Sequence, residues 1–176
     1  GGKGFALIEG FKVAKGDLVG FTDADGSTPA EEFNKLISNI GSYDGAIASR
    51  WMKGSIIRPK QPLKRRIAGR GFYLLVRLLF GLKFKDTQCG AKIFKRNALR
   101  KITPKLRVKK WAFDIDLLYL AKKNRLNIKE VPIKWEDDTG SKLKIIKTSL
   151  EMGSTILKLR LKDSIFGPLF KKELVL

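Results

Sequence analysis

Histidine is absent from the 176 residues, and cysteine occurs once, at Cys89. The first absence removes the commonest general base at neutral pH and the commonest zinc ligand. The second removes any disulfide framework and makes a reducing compartment the default. Acidic side chains are scarce, 17 against 37 basic ones, for a net charge of +20. A long apolar run is missing as well. The longest, FYLLVRLLFGL from Phe72 to Leu82, is too short for a bilayer and contains Arg77. Internal repeats and low-complexity tracts are also absent, and the length suits one domain with a real core.

What is present is unevenly placed. Residues 1–50 carry 5 basic and 7 acidic side chains, residues 51–110 carry 19 and 1, and residues 111–176 carry 13 and 9. Opposite signs normally intersperse on a plain surface. A field this lopsided recruits an anionic partner: nucleic acid, an acidic membrane or a phosphorylated substrate.

Helix and strand patterns alternate through the first third, as in α/β folds with a mostly parallel sheet. Phe5–Lys15 reads as a helix stopped by Gly16, and DLVGF as a buried strand running into Asp23. STPAEEFNKLISNI reads as a helix with Thr28 as N-cap, Pro29 at the first position and Glu31 completing a capping box. YDGAIASR is a second strand ending at Arg50, followed by a loop over 53–62. LKRRIAGRGFYLLVRLLFGL predicts a basic amphipathic helix weakened by Gly69 and Gly71. On it Arg66, Arg70 and Arg77 fall within about 40° of one another, and Leu74, Leu75, Leu78 and Leu79 lie toward the opposite side. AKIFKR predicts a strand, AFDIDLLYLAKKN a helix, NIKEVPIKW an edge strand holding Pro132, and Lys144–Leu161 a last amphipathic helix. The expected division is one domain over 1–162 and a tail over 163–176.

Five constellations could carry chemistry. Asp23 and Asp25 follow a strand, where open α/β sheets bind ligands, and two such carboxylates can face one hard cation. An ordinary Asp-Gly turn explains the same residues. Lys64, Arg65, Arg66 and Arg70 offer cations to phosphate, the arginines as planar forks. DTQCGAK sets the polar Asp86 and Gln88 beside Gly90, which permits a close backbone approach. Cys89 has no histidine to activate it and reads as a small buried residue. Asp114 and Asp116 stand two apart on a helix and do not share a face, so one could serve as a cap while the other points into a cleft. Lys142 is a cation in the loop TGSKL.

Together GKG…EGFKVAKGD, FTDADGSTP, ASR, PLKRRIAGRGF, DTQCGAKIF, WAFDIDLL, EVPIKW and GSKLK, in that order from about Lys3 to Leu161, resemble the inverting GT-A glycosyltransferases that load a sugar onto a polyprenyl phosphate. Dolichyl-phosphate glucosyltransferases are the nearest type. The resemblance implies a Rossmann-like, mostly parallel sheet flanked by helices. Since that family opens with a further strand and helix, it also implies an N-terminally truncated domain. It implies roles too. Asp23 and Asp25 would hold Mg2+ or Mn2+ and the nucleotide sugar. Arg50 would face the donor diphosphate, and Asp86 and Gln88 would line the sugar side. Arg65, Arg66, Arg70 and Lys142 would bind the acceptor phosphate. Asp25 and Asp116, the latter where the family often has glutamate, would be the catalytic carboxylates.

The reaction so implied moves a hexose, from UDP-glucose ahead of GDP-mannose, onto polyprenyl (dolichyl) phosphate, with peripheral attachment at the cytoplasmic face of an anionic membrane. No nucleic acid is expected as partner. The competing reading is a basic nucleic-acid-binding or membrane-binding domain without catalysis. It offers no reason for the acidic tip at Asp23.

Overall fold

A computed structural model describes residues 2–59, 62–136 and 145–163. Lys142, and the tail expected at 163–176 beyond Asp163, lie outside the described residues. Helix α1 spans Lys3–Val13, strand β1 Leu18–Phe21, α2 Ala30–Ile40 and β2 Gly45–Ser49. Then come β3 (Ile56–Arg58), α3 (Leu63–Phe80), β4 (Lys92–Lys95) and α4 (Arg96–Ile102). Helix α5 (Phe113–Lys123), β5 (Ile128–Pro132), β6 (Lys134–Glu136) and α6 (Ile145–Lys162) complete the order.

The main sheet runs β1-β4-β2-β5. Strand β4 is antiparallel to both neighbours, whereas β2 and β5 are parallel. Three of the four strands therefore point one way, as the α/β pattern predicts, with β4 inserted against them. This reversal builds the site. The C-terminal ends of β1 and β2 and the N-terminal approach to β4 share one rim, where Phe21 and Ile47 both pair with Lys92. Strand β5 is at the sheet edge, where Pro132 is tolerated. The segment expected as one strand over 127–135 is broken at Ile133, and β6 leaves to pair with β3 inside the expected loop.

Side chains alternate across the sheet and feed two cores. Val19, Phe21, Ile47 and Phe94 point toward α1, α3, α5 and α6, where Phe11, Phe80, Phe113 and Ile156 close the packing. Ala46, Ala48, Ile93 and Val131 face Leu36 and Ile40 of α2. Helix α2 begins after the predicted cap. Pro29 stands at the N-cap with no side-chain cap, and Thr28 is buried ahead of it. Buried Glu32 instead accepts from Lys35 and from the Lys134 backbone N–H.

Helix α3 ends at Gly81, which takes the left-handed conformation (φ 60) suited to glycine. Its buried arc holds Phe72, Leu75, Val76, Leu79 and Phe80. Leu74 and Leu78, expected on that side, are 55% and 83% exposed. They lie between the arginine face and the buried arc, beyond the reach of the core.

Candidate functional site

At the shared rim the sheet opens into a cleft of about 270 Å3 between the strand ends, α3 and α6. Asp23, Arg50, Asp86, Gln88 and Arg65 line it, so five of the expected residues come together. Asp25, Arg66, Arg70 and Asp116 do not line it.

Asp23 stands two residues past the end of β1 and is half-buried. Its carboxylate lies on the Cα of Gly90: a Cβ there would sit 1.8 Å from Oδ2. The close approach anticipated at Gly90 is thus to the first aspartate of the acidic pair. Lys3 Nζ holds the same carboxylate, 2.7 Å from Oδ1. Asp25 is exposed at the tip, and its Oδ1 accepts the Ser27 N–H at 3.0 Å, closing a turn whose next residue, Gly26, has φ 73. The turn and the ligand readings of this stretch are therefore compatible, because Oδ2 is not used by the turn.

Arg50, one residue past β2, is clamped by Asp86. Nε and Nη2 donate to its two oxygens at 2.7 and 3.0 Å, and the Arg50 backbone N–H adds a third bond at 3.0 Å. The Asp86 Oδ1 also accepts the N–H groups of Gln88 and Cys89, both at 3.1 Å. Burial opposes the charge on each partner, but their mutual attraction outweighs it. The guanidinium is held above its ordinary value and the carboxyl below its own. Asp86 thus organises the DTQCG loop and Arg50 rather than meeting a ligand as a free carboxylate. Cys89 is 1% exposed, and burial pushes its thiol up to about 11, as suits a packing residue.

One aspartate of α5 reaches the cleft as anticipated, but neither caps the helix, and the one at the cleft is not the one the resemblance implied. Asp114 lines the cleft. Asp116, expected there as a catalytic group, is fully buried behind it, and its Oδ2 accepts the N–H groups of Arg107 and Val108 at 2.7 and 2.9 Å. Its Oδ1 has no hydrogen-bond partner among the described residues. Burial outweighs the two backbone bonds and raises this carboxyl above the usual range. Asp116 anchors the loop before α5; it does not face the cleft.

The basic wall comes from α3 and the loop before β4. Arg65, Gly69 and Phe72 recur at helical spacing on the cleft side of α3, and Lys85 from the loop before β4 lines the same cleft. A Cβ at Gly69 would meet nothing within 4 Å. Arg70 stacks over Trp51, 5.4 Å from the ring centroid, at the rim, whereas Arg66 is exposed on the outer face. Sequence reasoning missed Lys3, Trp51, Lys85 and Trp111, which also line the cleft. For Lys3 a signal existed in its flanking glycines: a Cβ on Gly4 would come within 2.6 Å of the Val108 carbonyl oxygen.

A divalent cation fits this acidic corner only in part through protein ligands. Among the described residues no three His, Cys, Asp or Glu side chains gather. Asp23 and Asp25 are two hard oxygen donors, which suits an ion completed by phosphate oxygens and water and does not suit an all-protein cage.

The model of the family described as glycosyl transferase family 2 matches residues 1–103. The chain belongs to glycosyl transferase family 2. Among curated family members, the dolichyl-phosphate beta-glucosyltransferase of Dictyostelium discoideum is 35% identical over 92% of this chain and 51% of its own length. The Homo sapiens protein of the same name is 32% identical over 92% and 52%. The chain thus spans about half the length of the curated relatives it matches. Among solved structures, glucosyl-3-phosphoglycerate synthase from Mycobacterium tuberculosis superposes with a TM-score of 0.61, at 17% identity, over 92% of this chain and 54% of that one. The likeness shows a GT-A type fold, with a mixed sheet flanked by helices.

Proposed function

We propose that this chain forms the reaction centre of a hexosyltransferase that moves glucose from UDP-glucose to a dolichyl or other polyprenyl phosphate, with inversion. The observation that carries this reading is that one cleft is lined both by the Asp23 carboxylate, just past β1, and by the cations Arg65 and Lys85. A divalent cation, Mg2+ or Mn2+, held by Asp23 and Asp25, would supply positive charge for the departing diphosphate. A relative of the same fold was crystallised with Mn2+ and UDP-glucose, which supports the choice of donor and ion.

The remaining work falls to the chain's own residues. A phosphate monoester loses its second proton near pH ~6, so the acceptor is already an anionic nucleophile and needs no histidine. Arg65 and Lys85 attract and orient it, while Arg50, fixed by Asp86, lends a rigid cation to the same cleft. Attachment to the cytoplasmic face of an anionic membrane is part of the proposal. It is supported by exposed Ile67, Leu74 and Leu78 beside Arg66, Arg70 and Arg77 on α3, and by exposed Leu150 and Leu157 on α6. Among the described residues no helix is long and apolar enough to cross a membrane.

The test is transfer of label from UDP-glucose or GDP-mannose to dolichyl phosphate in the full-length protein with Mn2+. Labelled lipid from UDP-glucose, lost in Asp25→Ala, is the expected result. Labelling from GDP-mannose alone would replace the donor. Labelling from neither would overturn the reading.

A further inference from the structure

Beneath the acidic side of the cleft runs a chain of four alternating charges. Lys92, the first residue of β4, is fully buried; its Nζ donates to the Cys89 carbonyl and to Asp114 Oδ1, the latter at 2.7 Å. The other oxygen of Asp114 accepts from Lys3 Nζ at 3.0 Å, and Lys3 Nζ reaches Asp23 Oδ1 at 2.7 Å. Both ammonium groups stand over the Phe21 ring, at 5.7 and 5.5 Å from its centroid. The chain of contacts therefore leads from the core to the carboxylate at the cleft wall.

Lys3 is placed by backbone as well. The Phe5 N–H donates to the Lys109 carbonyl at 3.0 Å, Gly4 packs against Val108, and the Arg107–Val108 backbone is held by Asp116. Both aspartates of α5 thus act on the start of α1, Asp114 directly and Asp116 through the loop. Buried ions are a costly way to stabilise a core, and well-packed apolar residues do it as well or better. A fully buried lysine at the head of this chain is better explained by what the chain aims at.

We propose that Lys92 and Asp114 are positioning residues that hold the Lys3 ammonium against Asp23 at the cleft wall. Lys92 takes one oxygen of Asp114 and fixes that carboxylate, so its other oxygen holds the Lys3 ammonium where it bridges to Asp23. The inference rests on the donor reading above only for its binding assay.

The experiment uses full-length protein and compares Lys92→Met/Asp114→Asn, which removes a buried cation and its carboxylate charge together, with Lys3→Met and the triple variant. UDP affinity is measured by calorimetry with and without Mn2+, alongside thermal unfolding. Outer-shell partners of metal-ligating side chains, which Asp23 would be here, typically contribute 10- to 100-fold, so with Mn2+ the double variant is expected to bind UDP at least about tenfold more weakly. In the Lys3→Met background the same two changes should add no further loss, because they act through Lys3. Unchanged affinity in a folded double variant, or fully additive losses, would overturn the proposal. If the double variant does not fold, Asp114→Asn alone takes its place in the same cycle. Failure of the wild type to bind UDP would strike the donor reading instead. The positioning claim would then be decided by a crystal structure of the variant: Lys3 Nζ still within hydrogen-bond distance of Asp23 would sink it.

Discussion

Asp116 shows how far a residue's role depends on its surroundings. Its two backbone partners make it a loop anchor, and an oxygen with no partner among the described residues makes it a costly one. Replacing it by alanine leaves two N–H groups without their acceptor, each worth about 1–3 kcal/mol where buried, so a loss of roughly 2–6 kcal/mol is expected. Asp116→Asn keeps one oxygen for those donors and should cost far less, with transfer activity retained; loss of activity in a stable Asn variant would restore a catalytic role. The pH dependence has a definite sign. Because burial raises the folded-state value, this group's contribution is fully present below the unfolded value of ~3.9 and is lost as pH rises through the raised one. Urea unfolding between about pH 4 and 7 should therefore show Asp116→Asn gaining stability relative to wild type as pH increases. At Gly90 the expected defect is functional. A methyl group there displaces the Asp23 carboxylate, a movable side chain, so Gly90→Ala should keep its unfolding temperature and lose about 10- to 100-fold in transfer rate.

Among the elements, α3 is the most revealing, because it packs one face, lines the cleft with a second and exposes a third. Its glycines are not forced by crowding: Cβ atoms at Gly69 and Gly71 would meet nothing within 4 Å. Gly71→Ala should therefore stabilise the protein by about 0.5–1 kcal/mol through helix propensity, read as a higher unfolding temperature with unchanged transfer. The same change at Gly69 enters the cleft and should alter the KM for the acceptor as well. Periodicity marked α3, α5 and α6 nearly to the residue, since each repeats apolar positions over three or more turns. It did not mark β3, the β6 pairing or α4, which are short and take their form from neighbours distant in sequence. The Thr28 cap failed for a related reason: a buried Thr28 and a Glu32 turned toward β6 outrank the local capping pattern.

For the whole molecule, the positive charge and the exposed leucines of α3 and α6 make one expectation. Each cation near an anionic bilayer contributes on the order of 1 kcal/mol, and exposed apolar side chains add to this when they enter the interface. Leu74→Glu/Leu78→Glu should weaken binding to phosphatidylserine-containing vesicles by at least about tenfold, measured by co-sedimentation. Transfer to detergent-dispersed acceptor should survive, since neither residue lines the cleft. Binding equal to wild type would remove α3 from the membrane-facing side.

The sequence by itself determined the alternating α/β plan, the partition of charge between an acidic opening third and a basic middle, and the position of Asp23 at a strand end. It also determined the inert character of Cys89 and the allowance for a close backbone approach at Gly90, whose partner only the structure supplied. These follow from local chemistry: periodicity, steric allowance and the lack of an activating base. Only the tertiary structure decided that β4 runs against its neighbours, that Arg50 is clamped by Asp86, and that Asp114 rather than Asp116 faces the cleft. It alone joined Lys3 to Asp114 and Lys92 to the same carboxylate, across 111 and 22 residues of chain. A side chain's partner at such separations is set by how helices dock on the sheet, and a one-dimensional pattern carries no record of that docking.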